Sequence, residues 1–336
     1  MPPVGSGRHD RAGPKRDAPH SPSCSKRDED TRQKGEDQKP YSISRHQLRR
    51  GMSSSVVIVI NFNSGRHLER CLDSIRADAP QAPVIVVDNA STDASQRPAE
   101  GSNTRVRLVA NTVNVGFAKA VNQAIALSDE PYILLLNPDC ALEPGALEGL
   151  AAELDRFPEC AIVGPRILDA DGGVQGSVRG DPNLLTGLFG RSSSLTRMFP
   201  RSGLARRNVP TPVSDERRQA DWVSGACMLC RRTALDQVQG FDERYFLYWE
   251  DADLCKRLRA KGFTIRHVPG SRVRHIGGQS SRTARRLAIR AFHRSAYLYY
   301  ATHVARTPVV RGLAWLMLQA RCQLMLMTER SETSGL

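Results

Sequence analysis

The stretch SSVVIVINFN, residues 54–63, decides the fold that this 336-residue chain is predicted to adopt. Its run of β-branched residues is typical of a strand that is buried on both faces of a sheet. Asn61 and Asn63 follow at once, where such a strand ends. Strands buried on both faces belong to parallel sheets covered by helices, so the stretch predicts an α/β protein.

Strands and helices alternate downstream of this stretch. Apolar runs predict further buried strands, and apolar residues at helical spacing predict helices. We predict strands in 82–91, 105–111 and 131–140, and helices in 66–75, in 116–127 and from Pro144 onward. The order strand, helix, strand, strand, helix, strand predicts a mainly parallel sheet flanked by helices.

The second half of the chain is less regular. A strand is expected in 159–168, and a strand leading into a helix in 221–235. The Ser-, Arg- and Pro-rich stretch 176–220 predicts a long loop or lid. A loop and a helix that stops at Gly262 come next, and 264–278 reads as a pair of strands.

Composition divides the chain into three predicted parts. Residues 1–52 are rich in charged residues, Ser, Pro and Gly, which predicts a disordered basic extension. Residues 53–281 carry the α/β pattern and form the predicted main domain. Residues 282–336 form a basic, aromatic segment expected to fold into amphipathic helices.

The net charge of +13 favours an anionic partner. No zinc-finger, RNA-binding or basic-zipper pattern is present in the sequence, which disfavours nucleic acid. The Arg residues and aromatics of the C-terminal segment suit a helix at an anionic membrane surface, while basic helices packed on their own domain are the alternative. We find no apolar run long enough to span a bilayer and no signal peptide, and expect a peripheral cytoplasmic location.

The eight cysteines are scattered, and Cys227 and Cys230 form the one close pair. Their segment is expected to be a strand, which points the two side chains to opposite faces. We therefore interpret the cysteines as core thiols in a reducing compartment rather than as a metal or redox motif.

Polar residues stand at the carboxyl ends of four successive predicted strands. Ligands bind beyond these ends in α/β sheets, so the four ends together predict one polar site. The residues are Asn61 and Asn63, Asp88 and Asn89, Asn111 and Asn114, and Asn137 and Asp139. No glycine-rich dinucleotide or P-loop motif is present in the sequence, which suggests that phosphates are held through a metal.

Acidic residues cluster after an aromatic stretch, in FLYWEDADLCKRLRAKGF (246–263). Asp253 fits a helix-start charge that complements the helix dipole. Glu250 and Asp251 follow Trp249, and a carboxylate beside an aromatic platform can accept a proton from a substrate hydroxyl. Asp139 and His275 are the candidate ligands for Mg²⁺ or Mn²⁺, with the nitrogen favouring Mn²⁺.

Six motifs in series carry a resemblance to a known family. They are VVIVINFNSGRHLERCLDSI, VIVVDNASTD, NVGFAKAVNQAI, YILLLNPDC, VSGACMLCRRTAL and QGFDERYFLYWEDADLCKRLRAKGF. Together they resemble the family 2 glycosyltransferases of the GT-A fold, in particular the bacterial rhamnosyltransferase-like branch. The resemblance covers about residues 55–300.

The resemblance implies an inverting transfer of a sugar, possibly rhamnose, from a nucleotide-diphosphate donor to a glycan or polyprenyl-diphosphate-linked acceptor in cell-envelope polysaccharide synthesis. It implies that Asp251 is the catalytic base and that Glu250 or Trp249 positions the acceptor. Asp139 matches the last aspartate of the family's D-x-D motif, and His275 a histidine near the metal. Asn137 stands where the motif has its first aspartate, which puts the strict need for the metal in doubt.

The resemblance also implies the donor site. Its residues would be Asn61, Asn63, Asp88, Asn114, Gly116, Asn122 and Asn137. Two alternatives stay open from the sequence: a nucleotidyltransferase, which would want a basic glycine-rich loop after the first strand, and an inactive carbohydrate-binding or scaffold protein on the same fold.

Overall fold

The computed structural model describes residues 55–100, 105–176, 178–181, 216–276 and 284–333. The predicted disordered extension 1–52 and most of the predicted lid lie outside these ranges. The three-part domain division stays a prediction.

An extended sheet forms the centre of the described part. The strands are β1 (Ser55–Asn61), β2 (Val84–Asp88), β3 (Val106–Ala110), β4 (Tyr132–Leu136), β5 (Cys140–Leu142), β6 (Cys160–Leu168), β7 (Val174–Gln175), β8 (Val178–Arg179), β9 (Arg218–Gln219), β10 (Trp222–Val223), β11 (Cys227–Arg231) and β12 (Thr264–His275). Strands β8 and β10 form a separate two-stranded sheet, and the others belong to the main sheet. The α-helices are α1 (His67–Asp78), α2 (Phe117–Ile125), α3 (Ala146–Arg156), α4 (Arg232–Gln237), α5 (Glu250–Ala260), α6 (Arg285–His303) and α7 (Pro308–Thr333).

The main sheet runs β3-β2-β1-β4-β11-β6-β12-β5. The first four strands are parallel, as the buried apolar runs predict. Strand β11 then lies antiparallel between β4 and β6, so the sheet becomes mixed. The predicted α/β class with flanking helices is confirmed.

Two apolar layers cover the sheet. One layer includes Leu72 of α1 and Leu150 of α3, and the other includes Val121 of α2 and Leu254 of α5. Alternate residues of each buried strand enter opposite layers, because side chains alternate along a strand. Cys227 and Cys230 do not break this rule.

The cysteines behave as core thiols. Cys227 belongs to the layer of α1 and Cys230 to that of α2, which is the opposite-face placement predicted for a strand. All seven cysteines in the described ranges are buried and free.

The predicted strand pair in 264–278 is wrong. Strand β12 is one element that pairs with β6 along its length, with an irregularity between Val268 and Arg272. Pro269 and Gly270 lie within this irregularity. A proline cannot donate to the ladder, so the sequence signal for a turn here marks a break in pairing inside one strand.

Helices α6 and α7 confirm the predicted C-terminal helices. They pack against each other through Ile289, Cys322 and Leu326. Helix α6 also packs on the main domain, where Tyr299 contacts Tyr245 and Ala252. None of the helices in the described ranges has both the length and the apolarity needed to cross a bilayer.

Candidate active site

A crevice is expected where the strand order reverses. The chain moves from β1 outward through β2 to β3 and then returns to the other side of β1 as β4. Connections above adjacent strands diverge at such a point, which leaves room for a ligand beyond the carboxyl ends. The predicted polar residues follow these ends.

Asn61 and Asp88 are paired neighbours at the ends of β1 and β2. Both are buried, and Asn61 Nδ2 donates to Asp88 Oδ1 over 2.7 Å. Ser91 donates its backbone N–H and its hydroxyl to Asp88, at 3.0 and 2.6 Å. Asn61 Nδ2 also donates to Ser95 Oγ. The two predicted residues are therefore brought together in one network at the carboxyl ends of β1 and β2, where the crevice is expected.

Asn63 links the loops above this network. Its backbone is left-handed, with φ of 48°. Its Oδ1 accepts the backbone N–H of Thr92 at 2.8 Å, and its own N–H donates to Ser91 Oγ. Asn tolerates this conformation better than most residues because its short side chain bonds locally.

Gly116 brings the start of α2 against the segment that precedes α5. Its φ of 88° and ψ of 169° lie in a region open essentially to glycine alone. A Cβ there would stand 2.7 Å from the carbonyl oxygen of Phe246. That same oxygen accepts the N–H of Phe117 at 2.7 Å, while Asn114 Oδ1 accepts the N–H of Gly116. The turn and the 246 segment are therefore in direct contact.

Asn122 anchors the chain just before that segment. Its Nδ2 donates to the Phe241 carbonyl at 2.9 Å and its Oδ1 accepts the Phe241 N–H at 3.0 Å. Nδ2 also reaches Glu243. The amide is engaged at both ends by the protein, and proximity of Asn122 to a nucleotide stays a prediction.

Asp251 is connected to the end of β4 through a short backbone bridge. Its Oδ2 accepts the N–H of Gly225 at 2.9 Å. The next residue, Ala226, accepts the N–H of Asn137 on its carbonyl at 2.9 Å. Strand β11 runs antiparallel to β4, so its first residues stand at the carboxyl end of β4. The predicted base is therefore linked to the first residue of the Asn137–Asp139 motif.

The three acids at the start of α5 have three different environments. Asp251 is half-buried, and its Oδ1 also accepts the N–H of Ala252. Glu250 is only 6% exposed, and its Oε2 has no hydrogen-bond partner in the described residues. Burial, and next the charge of Asp251, raise the pKa of Glu250 well above its ordinary value. A carboxyl with a raised pKa keeps its proton and can donate a hydrogen bond.

Asp253 is a buried ion-pair centre. Its side chain is 1% exposed, Oδ2 pairs with Arg257 Nε at 2.7 Å, and Oδ1 pairs with His303 Nε2 at 2.7 Å. It lies in the first turn of α5 as predicted, yet its contacts tie that turn to helix α6. The sequence alone did not indicate this link.

Tyr248 and Trp249 adopt left-handed backbone conformations, with φ of 67° and 70°. Each such residue costs about 1–3 kcal/mol and persists where its surroundings enforce it. Helix α6 provides these enforcing contacts. Ser295 Oγ donates to the Leu247 carbonyl at 2.9 Å, and the Trp249 ring centre lies 5.2 Å from that of Tyr299 and 5.9 Å from that of Phe292. The predicted acceptor contact of Trp249 stays a prediction; its observed contacts hold the ring on α6.

Asp139 and His275 are brought together, although 136 positions separate them in the sequence. Strands β5 and β12 pair antiparallel with His275 opposite Cys140, which sets His275 Nε2 3.3 Å from Asp139 Oδ1. Gln175 fixes the imidazole: its Nε2 donates to the His275 carbonyl and its Oε1 faces Nδ1 at 2.9 Å. In the contact with Gln175 Oε1, Nδ1 is the nitrogen that donates, and Nε2 faces Asp139.

These residues fit a divalent metal. A carboxylate oxygen and an imidazole nitrogen suit Mn²⁺, and two protein ligands leave positions for phosphate oxygens. Cys140 lies within reach of both groups. Burial, and next the charge of Asp139, raise the pKa of Cys140 well above its ordinary value, and its thiol donates to the Ala226 carbonyl.

Sequence reasoning missed several residues that complete the site. Gln175 stands in a stretch that reads as a turn, and only the β6–β7 pairing brings it to His275. Nothing in the sequence distinguishes Gly225 from other loop glycines, and only the structure shows that its N–H donates to Asp251. Ser91 and Ser95 follow the end of β2 in DNASTDAS, where the density of Asx-turn residues could have indicated a loop network.

Taken together, the structure shows an α/β protein with polar residues at the carboxyl ends of its parallel strands, two neighbouring carboxylates in different environments and an Asp–His pair suited to a metal. The profile of glycosyl transferase family 2 matches residues 56–238, and that of the N-terminal domain of galactosyltransferase matches residues 210–278. The chain belongs to glycosyl transferase family 2. This confirms the resemblance and decides for a glycosyltransferase over a nucleotidyltransferase.

Curated relatives and a solved structure agree with this. The chain is 34% identical, over 73% of its length and 83% of the relative, to the N-acetylglucosaminyl-diphospho-decaprenol L-rhamnosyltransferase of Mycobacterium tuberculosis. It is 26% identical, over 73% of its length and 92% of the relative, to the rhamnosyltransferase WbbL of Escherichia coli. A crystal structure of GalNAc-T7 with UDP, GalNAc and Mn²⁺ shares the fold, at a TM-score of 0.53 and 15% identity, over 74% of this chain and 51% of that one.

Proposed function

We propose that this protein is an inverting rhamnosyltransferase that moves the sugar of a nucleotide-diphosphate donor to a lipid-linked diphosphate acceptor. The observation that carries the proposal is the Asp251–Gly225–Ala226–Asn137 bridge, which joins a half-buried carboxylate to the strand end that holds Asp139. The sugar and the acceptor are proposed by similarity to the rhamnosyltransferases of Mycobacterium tuberculosis and Escherichia coli.

The donor would lie in the crevice above β1, β2 and β4. Its nucleoside half would meet the network of Asn61, Asn63 and Asp88, and its diphosphate the turn of Asn114 and Gly116. Asn137, Asp139 and His275 would face the diphosphate from the other side. Asp139 and His275 would hold Mn²⁺ or Mg²⁺, which when bound neutralises charge that develops on the departing diphosphate.

Asp251 acts as the general base. It removes the proton of the acceptor hydroxyl while that oxygen attacks the anomeric carbon from the face opposite the nucleoside diphosphate. A carbon–oxygen bond to the acceptor forms, the bond to the diphosphate breaks, and the configuration inverts. The N–H groups of Gly225 and Ala252 orient the carboxylate for this transfer.

Glu250 and Trp249 are proposed to serve the acceptor side. The raised pKa of Glu250, caused first by its burial, supports a neutral carboxyl that donates a hydrogen bond rather than a second base. Trp249 sets the backbone that presents Asp251, because its left-handed conformation ends immediately before α5.

The physiological role that fits these substrates is cell-envelope polysaccharide synthesis at the cytoplasmic face of the membrane. A lipid-linked acceptor resides in the bilayer, so a peripheral enzyme has to reach it from the surface. The basic C-terminal helices support this location.

The test measures release of nucleoside diphosphate by residues 52–336 with a panel of nucleotide sugars, with Mn²⁺, with Mg²⁺ and with chelator. Metal-dependent turnover of one donor, most active with the deoxythymidine-diphosphate rhamnose donor, supports the proposal. Mn²⁺ binding followed by electron paramagnetic resonance gives a readout independent of turnover. Asp139→Asn is expected to weaken Mn²⁺ binding by at least about 10-fold, the smaller loss that even an outer-shell partner causes. Turnover that is unaffected by chelator contradicts the metal assignment.

A further inference from the structure

Helix α7 exposes a continuous apolar stripe. The face toward α6 is buried through Cys322 and Leu326, yet the opposite face is also apolar. The α7 stripe consists of Val309, Leu313, Leu316, Met317, Leu324 and Met327. These six side chains recur at spacings of about one and two helical turns, and each is between 49% and 72% exposed. A soluble surface helix normally carries polar side chains there.

Arginines accompany this stripe. Arg286, Arg290 and Arg294 repeat every four residues along α6 and are exposed, and we call them the α6 arginine row. Arg290 directly follows Ile289, the residue through which α6 packs on α7, so the row borders the contact between the two helices. Glu329, the one acid with a described side chain on the two helices, is paired with Arg285.

We propose that the α7 stripe lies in the interface of an anionic phospholipid bilayer, with the α6 arginine row on its headgroups. The combination of an apolar face and flanking cations is what such an interface recognises. A second copy of this chain is the less favoured occupant, because a two-fold contact through α7 would bring together two basic helix pairs in which Glu329 is the one acid with a described side chain. The inference deepens the proposed function and rests on its membrane-borne acceptor.

Helix α6 connects this surface to the candidate active site. Its Phe292 lies 5.9 Å from Tyr248 between ring centres, and its Ser295 bonds the Leu247 carbonyl. The same helix packs on α7 through Ile289. A bilayer on the stripe, which faces away from α6, is thus separated from the segment before Asp251 by both helices, about two helix diameters or roughly 20 Å. Helices α7 and α6 together join the proposed membrane surface to that segment.

The test measures binding of the full chain to sedimented vesicles of equal parts phosphatidylglycerol and phosphatidylcholine, and of phosphatidylcholine alone, at low salt. The double variant Leu316→Glu with Leu324→Glu places two charges on the stripe. We expect it to reduce the partition constant by about 100-fold or more, since each leucine withdrawn from water contributes about tenfold. Leu127→Glu is the matched control, because Leu127 is also an exposed leucine and lies just beyond the end of α2. This variant should bind like the wild type.

A second variant separates the charge from the apolar contribution. Replacing the α6 arginine row with glutamine should abolish the preference for phosphatidylglycerol, with a loss of about 100-fold on the anionic vesicles. Thermal unfolding of every variant checks the fold. Should the double variant unfold, Leu316→Ser alone, with an expected loss of about tenfold, provides the test.

The inference is overturned if the folded stripe variant binds anionic vesicles like the wild type. It is also overturned if the wild type binds no vesicles and light scattering shows a dimer that the stripe variant dissociates, since the occupant is then a second copy. Vesicle binding needs no donor turnover. Binding without sugar transfer would therefore contradict the proposed function alone, and transfer to a water-soluble acceptor without binding would contradict this inference alone.

Discussion

Two aspartates at the start of α5 are expected to fail in opposite ways when each is changed to asparagine. Asp251 accepts two backbone N–H groups and lies half-buried at the crevice, whereas Asp253 is 1% exposed and pairs with Arg257 and His303. Asparagine keeps the size of each side chain and removes its charge. The comparison therefore separates a base from a structural ion pair within one helical turn.

For Asp251→Asn we expect turnover to fall by about 100- to 10,000-fold, the usual contribution of a positioned general base. This corresponds to about 3–5 kcal/mol in the activation free energy. The remaining amide oxygen can still accept one of the two backbone N–H groups, so the melting temperature should change by only about 2–4 °C, as for a loss of about 1 kcal/mol.

For Asp253→Asn we expect the reverse. Removing one member of a buried ion pair costs about 3–5 kcal/mol. The Arg257 side chain is 24% exposed and also donates to the Val238 and Gly240 carbonyls, so we take the lower end, about 3 kcal/mol. In a domain of this size that lowers the melting temperature by about 6–12 °C.

Nucleoside diphosphate release measured well below the melting temperatures, together with thermal unfolding of both variants, tests the pair. Retention of more than about a tenth of wild-type turnover by Asp251→Asn would refute its role as base, since a base contributes at least about 100-fold. An unchanged melting temperature in Asp253→Asn would refute the structural account of the ion pair.

Three further outcomes are expected. Burial raises the pKa of Glu250 in the folded state, so the free energy of unfolding of the wild type should fall as pH rises above the unfolded pKa of about 4.3. Relative to the wild type, Glu250→Gln should become more stable by up to about 1.4 kcal/mol per pH unit in denaturant titrations. A stability difference that does not depend on pH would contradict this. Burial lowers the pKa of His267 to about 4, so the stability that depends on its neutral form is present above about pH 6.5 and is lost as pH falls toward 4. The free energy of unfolding should fall by about 3 kcal/mol over this window in the wild type, and not in His267→Gln. Gly116→Ala would place a Cβ 2.7 Å from the Phe246 carbonyl oxygen, so it should lower the free energy of unfolding by at least about 1–3 kcal/mol and also lower turnover. A Cβ at Gly270 meets no atom within 4 Å, so Gly270→Ala should behave like the wild type in the same assays.

Much of the site could be predicted because its residues follow strand ends. Asn61 and Asp88 each stop a buried apolar run, and parallel strands place such residues side by side. The sequence predicts Asp139 and His275 as metal ligands from their chemistry and from the family resemblance, and their contact follows from the β5–β12 pairing. The roles of Asp253, Gln175 and Gly225 could not be predicted, because their partners lie 50, 100 and 26 residues away.

The sequence by itself determined the α/β class, the buried strands and most helices. Apolar periodicity is a local property of the sequence, and it predicts which face of each element is buried. Only the tertiary structure decided that β11 enters antiparallel beside β4, that 264–275 is one interrupted strand, and that α6 holds Tyr248 and Trp249 in left-handed conformations. These features depend on pairings between distant segments, whose free energy is spread over many contacts and leaves no pattern in a short window. The acids of α5 show this best. Three carboxylates with the same local signal became a base candidate, a carboxyl whose pKa is raised by burial, and an ion-pair centre, each according to its neighbours in the fold.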